Sequence, residues 1–212
     1  MKLDLPRKGT LQPNDAYDPL PFYYRPLTGW IYRQRLQMGL DLLPVGGKRI
    51  LEVGVGSGIL IPTLSAHFAE YVGTDLVLAD GLARLVVPPC QSDFRSADLL
   101  REETLPEDHF DAVICLSVLE HIGDAEGAAR ALARTLAKGG TLVTGYPMVN
   151  DLMATLFRTI GFGNIEDHHI TAPATIDRAL HKVLRPVRRK ALPPFAPVPL
   201  ALYQCTSWQK MD

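Results

Sequence analysis

Cysteine is scarce and poorly placed for cross-linking. Cys90, Cys115 and Cys205 are the three in the chain, widely spaced and without a Cys-x-x-Cys pair. An odd, scattered set excludes a disulfide framework and offers no zinc-ligand spacing, so no metal and a reducing, cytoplasmic location are expected. Neither sign of charge is in excess, since 22 basic and 23 acidic residues leave a net −1. That balance removes the overall field by which proteins gather nucleic acid, and no nucleic-acid partner is expected. No apolar run reaches the roughly 18 residues that cross a bilayer, and the opening MKLDLPRKGTLQPNDAYDP has no signal-peptide apolar core. Internal repeats and low-complexity stretches are also missing. What is left, 212 residues with 47% hydrophobic and 21% charged content, fits one globular domain with short additions.

Along the chain, residues 1–20 are rich in Pro, Asp and Asn and read as irregular. A helix is expected over 29–43, ended by Pro44 and Gly46-Gly47. The chain then alternates: strand 49–53, helix 59–68, strand 71–75, short helix 77–85, strand 90–96, strand 110–116, helix 125–136 and strand 141–146. Lys138-Gly139-Gly140 reads as the C-cap of the last of these helices. Strands that are apolar at nearly every position are buried on both faces, and alternation with helices implies a parallel sheet. The fold class expected is therefore a doubly wound α/β sheet with its ligand at the carboxyl ends of the strands. Beyond Tyr146 the spacing predicts a helix over 149–160, a basic helix over 173–185 that Pro186 ends or kinks, and a last strand over 200–208.

The chemistry concentrates at the end of the first strand. Glu52-Val53-Gly54-Val55-Gly56-Ser57-Gly58 is followed at once by a helical pattern. Glycines there allow a tight turn and close approach to a ligand, and a helix start offers free N–H groups to an anion. Dinucleotide enzymes use a similar device, but their pattern needs glycine at the sixth position, which is Ile59 here. Asp75 ends the second strand, 17 residues beyond Gly58. A carboxylate at that place accepts both ribose hydroxyls of a nucleoside, the plainer reading being a solvated strand-end aspartate.

Five segments in order carry a resemblance: RILEVGVGSG at 49–58, YVGTDL at 71–76, SADLL at 96–100, FDAVICLSVLEHI at 110–122 and LAKGGTLVTGYP at 136–147. Together they resemble the successive motifs of class I S-adenosylmethionine-dependent methyltransferases, closest in style to the broad type 11 group. The resemblance covers about residues 45–147. It implies a mostly parallel, seven-stranded Rossmann-like sheet with helices on both faces, and S-adenosyl-L-methionine as cofactor, leaving as S-adenosyl-L-homocysteine. It implies that Glu52 and the backbone of Gly54, Gly56 and Gly58 hold the methionine moiety. Asp75, with Leu76 beside it, would bind the ribose, and Asp98 with Leu99 the adenine. Leu116 and Ser117 would line the methionine arm and the approach to the methyl group.

The acceptor side is read from the residues left over. Glu120-His121 follows the fourth strand; His121 is a candidate proton acceptor, and the structural alternative is that the pair braces a loop. Asp167-His168-His169 lacks a spaced third ligand for a metal and reads better as a loop near the site. Tyr24, Tyr146 and His169 are the candidate acceptor contacts. No Asn/Asp-Pro-Pro-aromatic signature follows Leu116, which turns the expectation from base methylation toward oxygen acceptors. The aromatic stretch Tyr17, Phe22, Tyr23, Tyr24, Trp30 and Tyr32 and the segment 148–162 point to a hydrophobic or aromatic small molecule. Residues 1–44 are expected to form a helical, aromatic segment over the substrate site. Residues 45–212 are expected to form the catalytic domain, with a lid insertion at 148–170. The basic stretch 176–190 reads as a sheet-covering helix, with membrane-surface contact the less favoured alternative. The rival functions are a dinucleotide-dependent oxidoreductase and a non-catalytic S-adenosylmethionine-binding module.

Overall fold

Successive side chains on a strand point to opposite faces of its sheet, so a strand apolar at every position needs cover on both sides. In the computed structural model, which describes residues 1–16, 18–101, 105–148, 170–194 and 200–211, two strands with apolar residues on both faces form the centre. They are β1 (Gly47–Val53) and β4 (Phe110–Leu116). Ile50, Ala112 and Ile114 face one hydrophobic cluster with α2 (Gly29–Leu42) and α3 (Ile61–Ser65). Leu51, Val53, Val113 and Cys115 face a second cluster with α4 (Ala125–Thr135) and α5 (Pro173–His181). A separate single turn, α1 (Leu20–Tyr23), packs on α2.

The other strands are β2 (Phe68–Asp75), β3 (Gln91–Ser96), β5 (Leu136–Pro147), β6 (Leu184–Leu192) and β7 (Tyr203–Lys210). The seven-stranded sheet has the order β3-β2-β1-β4-β5-β7-β6. β1 to β5 run parallel, and β7 lies antiparallel between β5 and β6. The doubly wound α/β expectation holds. The order reverses between β1 and β4, where a crevice opens at the carboxyl ends of the strands.

Four sequence expectations need correction. Lys138-Gly139-Gly140 does not cap a helix: α4 ends at Thr135, and β5 already starts at Leu136. Leu136 is fully buried and paired with Phe110, so tertiary burial ends the helix early. The helix expected over 59–68 is one turn, because Phe68 starts β2 opposite Gly47. The helix expected over 77–85 is a 3₁₀ turn at Leu82–Leu85. The basic helix stops at His181, and Leu184–Leu192 is a strand. Pro186 sits on that edge strand, which bonds to β7 alone, beside a register shift at Pro186/Arg188. A residue without N–H is tolerated there. The basic residues thus belong partly to a helix and partly to a sheet edge, where charge also discourages further strand pairing. The helix expected over 149–160 and the bulk of the 148–170 insertion lie outside the described residues.

Candidate active site

A cavity of about 1010 Å³ occupies the crevice where the strand order reverses. One wall is the turn after β1. The amides of Gly54 and Val55 both donate to the Thr74 carbonyl, at 2.8 and 3.1 Å, which folds the chain back over β2. The glycines there serve different ends. A Cβ on Gly54 would come within 2.2 Å of Val118, and one on Gly58 within 2.7 Å of Leu82. Gly58 therefore packs the turn onto its neighbours and does not line the cavity. At Gly56, with φ +53°, a Cβ would meet only Asp18 within 4 Å and would otherwise project into open space.

Asp75 ties this turn to the end of β2. Its Oδ2 accepts from the Gly56 amide at 2.8 Å, and its Oδ1 from the Leu76 amide at the same distance. An ionised carboxylate keeps further acceptor capacity for hydroxyls. Asp98 accepts from the Leu100 amide at 3.0 Å and lines the cavity with Leu99.

Glu52 is 4% exposed at the floor, and Tyr71 donates to its Oε2 at 2.6 Å. Burial raises its carboxyl to about 8, against the opposing effect of that hydrogen bond, and the nearby Asp75 adds to the rise. A buried carboxyl without a cation takes up a proton in this way.

The far end of the cavity is built by α1, α2, β4 and β7. Gly39 lets α2 approach closely, because a Cβ there would meet Leu116 at 2.9 Å. One turn earlier, Arg35 points at the end of β4 and donates through Nη2 to the Ser117 hydroxyl. Its guanidinium lies 4.4 Å from the Tyr203 ring centroid and 5.0 Å from that of Tyr32. Its Nε is sealed from solvent without a hydrogen-bond partner. Ser117 stands in the left-handed region at φ +58°, donates its amide to Gly145 at 2.7 Å, and shares a 2.9 Å hydrogen bond with the Tyr203 hydroxyl. Held strain of this kind collects at functional positions. Glu120 is 2% exposed and lifted by burial to about 7, although its own backbone amide and Arg35 pull it down. Its Oε2 has no partner. His121 is exposed and lines the cavity.

The structure therefore gathers Glu52, Gly54, Gly56, Asp75, Leu76, Asp98, Leu99, Leu116, Ser117 and His121 around one cavity. Besides Gly58, two described candidates do not line it. Tyr146 is 1% exposed and gives its hydroxyl to Asp177 of α5 at 3.1 Å, on the other face of the sheet. Tyr24 donates to the Pro6 carbonyl at 2.8 Å. Tyr17, His168 and His169 lie outside the described residues. Arg35, Tyr203 and Asp18 line the cavity without having been singled out from the sequence. For Arg35 a signal existed: it is a charged residue on the Tyr32–Leu36–Gly39 side of α2 that packs inward. Tyr203 gave none beyond its place in an apolar strand.

The sequence profile of a family described as "Methyltransferase domain" matches residues 31–184. The chain belongs to the class I S-adenosylmethionine-dependent methyltransferases. That membership separates its glycine turn from the similar one of dinucleotide oxidoreductases. Among curated relatives, the methyltransferase is 36% identical over 100 residues to a ubiquinone biosynthesis O-methyltransferase of Alkalilimnicola ehrlichii. The match takes in 46% of this chain and only 40% of that relative's length. Among solved structures, it superposes on the N-methyltransferase NodS of Bradyrhizobium japonicum, in complex with S-adenosyl-L-homocysteine, with a TM-score of 0.65. That likeness covers 92% of this chain and 93% of the other at 20% identity. A geranyl diphosphate C-methyltransferase of Streptomyces coelicolor gives 0.64 at 16% identity, over 84% and 78% of the two chains. At such identities the likeness speaks for the fold. Among the described residues no His/Cys/Asp/Glu cluster could hold a metal, and no helix is long and apolar enough to cross a membrane.

Proposed function

We propose that the protein transfers the methyl group of S-adenosylmethionine to an oxygen of a small hydrophobic or aromatic acceptor. The observation that carries this reading is one continuous cavity whose two ends differ in chemistry and meet at Ser117. One end is the glycine turn with Glu52, Asp75 and Asp98; the other is aromatic, with Phe22, Tyr32 and Tyr203. Its volume exceeds what a nucleoside cofactor needs, since ligand pockets run roughly 300–1,000 Å³. The choice of oxygen follows the O-methyltransferase names of the relatives.

The chain's residues fit the donor. Asp75 is placed to accept from ribose hydroxyls, Asp98 and the Leu99 backbone to take the adenine edge, and Glu52 to face the cationic amino group. Arg35, which lines the cavity, is the cation that answers the amino-acid carboxylate. The bound donor supplies a methyl group on a sulfonium, which is already a strong electrophile. The protein's work is then to orient the acceptor oxygen in line with it and keep water out. Leu116 and Ser117 fix that approach, and His121, reachable from the cavity, takes the hydroxyl proton.

The test is incubation with S-adenosylmethionine and a panel of phenols and catechols, read by mass and by release of S-adenosylhomocysteine. A product heavier by one methyl on oxygen is expected. Tight binding of S-adenosylhomocysteine without turnover on any acceptor would favour the non-catalytic module instead.

A further inference from the structure

The mouth of the cavity carries an apolar knob flanked by positive charge. Leu27, in the turn before α2, is 88% exposed, and Trp30, in the first turn of α2, is 52% exposed. The two are three positions apart in sequence, Leu27 in the turn that leads into α2 and Trp30 in its first turn, while Arg33, one turn further, folds back to donate through Nη1 to the Tyr23 carbonyl at 2.5 Å. Arg25 lies beside them with its guanidinium 4.3 Å above the Phe22 ring. From Pro19 to Leu40 the chain holds three arginines and no acidic residue, in a protein whose net charge is −1. Phe22, Arg25 and Thr28 also line the cavity, so the knob stands at its entrance.

We propose that this knob docks the protein on an anionic lipid bilayer, with Leu27 and Trp30 entering the headgroup region and the exposed Arg25 meeting lipid phosphates. Leucine and tryptophan beside arginine is the composition that partitions into a membrane interface. Coulombic attraction to anionic headgroups adds to it within about a Debye length. A second copy of the chain fits worse. A two-fold contact through this face would set its arginines against themselves, and two protruding side chains fall far short of the roughly 800 Å² per partner of a stable interface. Docking here places the cavity entrance at the membrane surface, the side from which an apolar acceptor would arrive. The docking itself does not depend on which atom is methylated.

The chain's two tryptophans give a direct readout. Trp208 is fully buried and donates to Thr144 at 2.9 Å, so a spectral change on adding vesicles reports Trp30. With the whole protein at low salt, phosphatidylglycerol vesicles should shift the emission to the blue and carry the protein down on sedimentation. Phosphatidylcholine vesicles should do so far more weakly. Leu27→Glu should lower vesicle binding by about tenfold or more while leaving S-adenosylhomocysteine affinity unchanged. Arg25→Glu should lower it further and flatten its salt dependence. No shift with phosphatidylglycerol, or sedimentation that Leu27→Glu and Trp30→Ser together leave intact, overturns the proposal. So does a dimer in light scattering that Leu27→Glu dissolves, which would give the face to a second copy.

Discussion

The hydroxyl of Tyr71 reaches across from β2 to the Glu52 carboxyl of β1 at 2.6 Å, and both side chains are buried. The pair sets a pH dependence whose direction can be worked out. Glu52 titrates near 8 in the folded protein against 4.5 in the ordinary state, so between those values the native chain holds a proton that the unfolded chain has lost. Stability contributed by this group is therefore complete at low pH and falls as pH rises toward about 8. Calorimetric melting of the ligand-free protein should show that decline, and Glu52→Gln should remove this component. A cationic donor amino group favours the ionised carboxylate, so S-adenosylhomocysteine affinity should rise with pH over the same window and lose that slope in Glu52→Gln.

Asp75→Ala should weaken S-adenosylhomocysteine binding by at least about tenfold, since two ribose hydroxyls lose their acceptor. The variant also frees the Gly56 amide that Asp75 holds at 2.8 Å, which loosens the turn itself. Titration calorimetry on a variant shown to be folded by circular dichroism reads the effect. Unchanged affinity would mean that the nucleoside lies elsewhere.

For Arg35 the useful comparison is between two ligands. Arg35→Met should cut affinity for S-adenosylhomocysteine by roughly 10- to 100-fold, the range for a charge-assisted pair in a sheltered site. Affinity for methylthioadenosine, which lacks the amino-acid carboxylate, should barely change. Equal loss for both ligands would show that the guanidinium supports the site only through Ser117 and the Tyr203 ring.

Tyr146 tests where the cavity ends. Its hydroxyl is spent on Asp177, which also pairs with Arg189 at 3.2 Å. Tyr146→Phe should leave cofactor binding and any turnover unchanged and cost about 1 kcal/mol of stability in denaturant unfolding. A drop in turnover without a drop in stability would return this residue to the acceptor site.

Much of the glycine-turn end of the cavity was legible because its residues are local to strand ends. Gly54 and Gly56 follow β1 directly and Asp75 closes β2, so strand pattern and turn chemistry together place them. Phe110–Leu116 reads as a strand from its nearly all-apolar run, and β4 has those bounds. The aromatic end of the cavity depends on long-range placement. Arg35 and Ser117 are 82 positions apart and Ser117 and Tyr203 are 86, and no periodicity links them. The same limit explains the tail. The helix expected over 173–185 gives way after His181, and it is pairing with β7 that makes Leu184–Leu192 a strand.

The placement of β7 between β5 and β6 has a consequence for synthesis on the ribosome. Until Tyr203–Lys210 has left the exit tunnel, β5 has an open edge and β6 has nothing to bond to. The nascent chain can assemble its first five strands and their glycine turn early, while two strands wait with unpaired backbone. Tyr203, which lines the aromatic end of the cavity, arrives with the strand that seals the sheet. A frameshift near codon 200 would therefore remove an inner strand of the sheet and not its margin, leaving the first five strands and the glycine turn with exposed strand edges prone to aggregate.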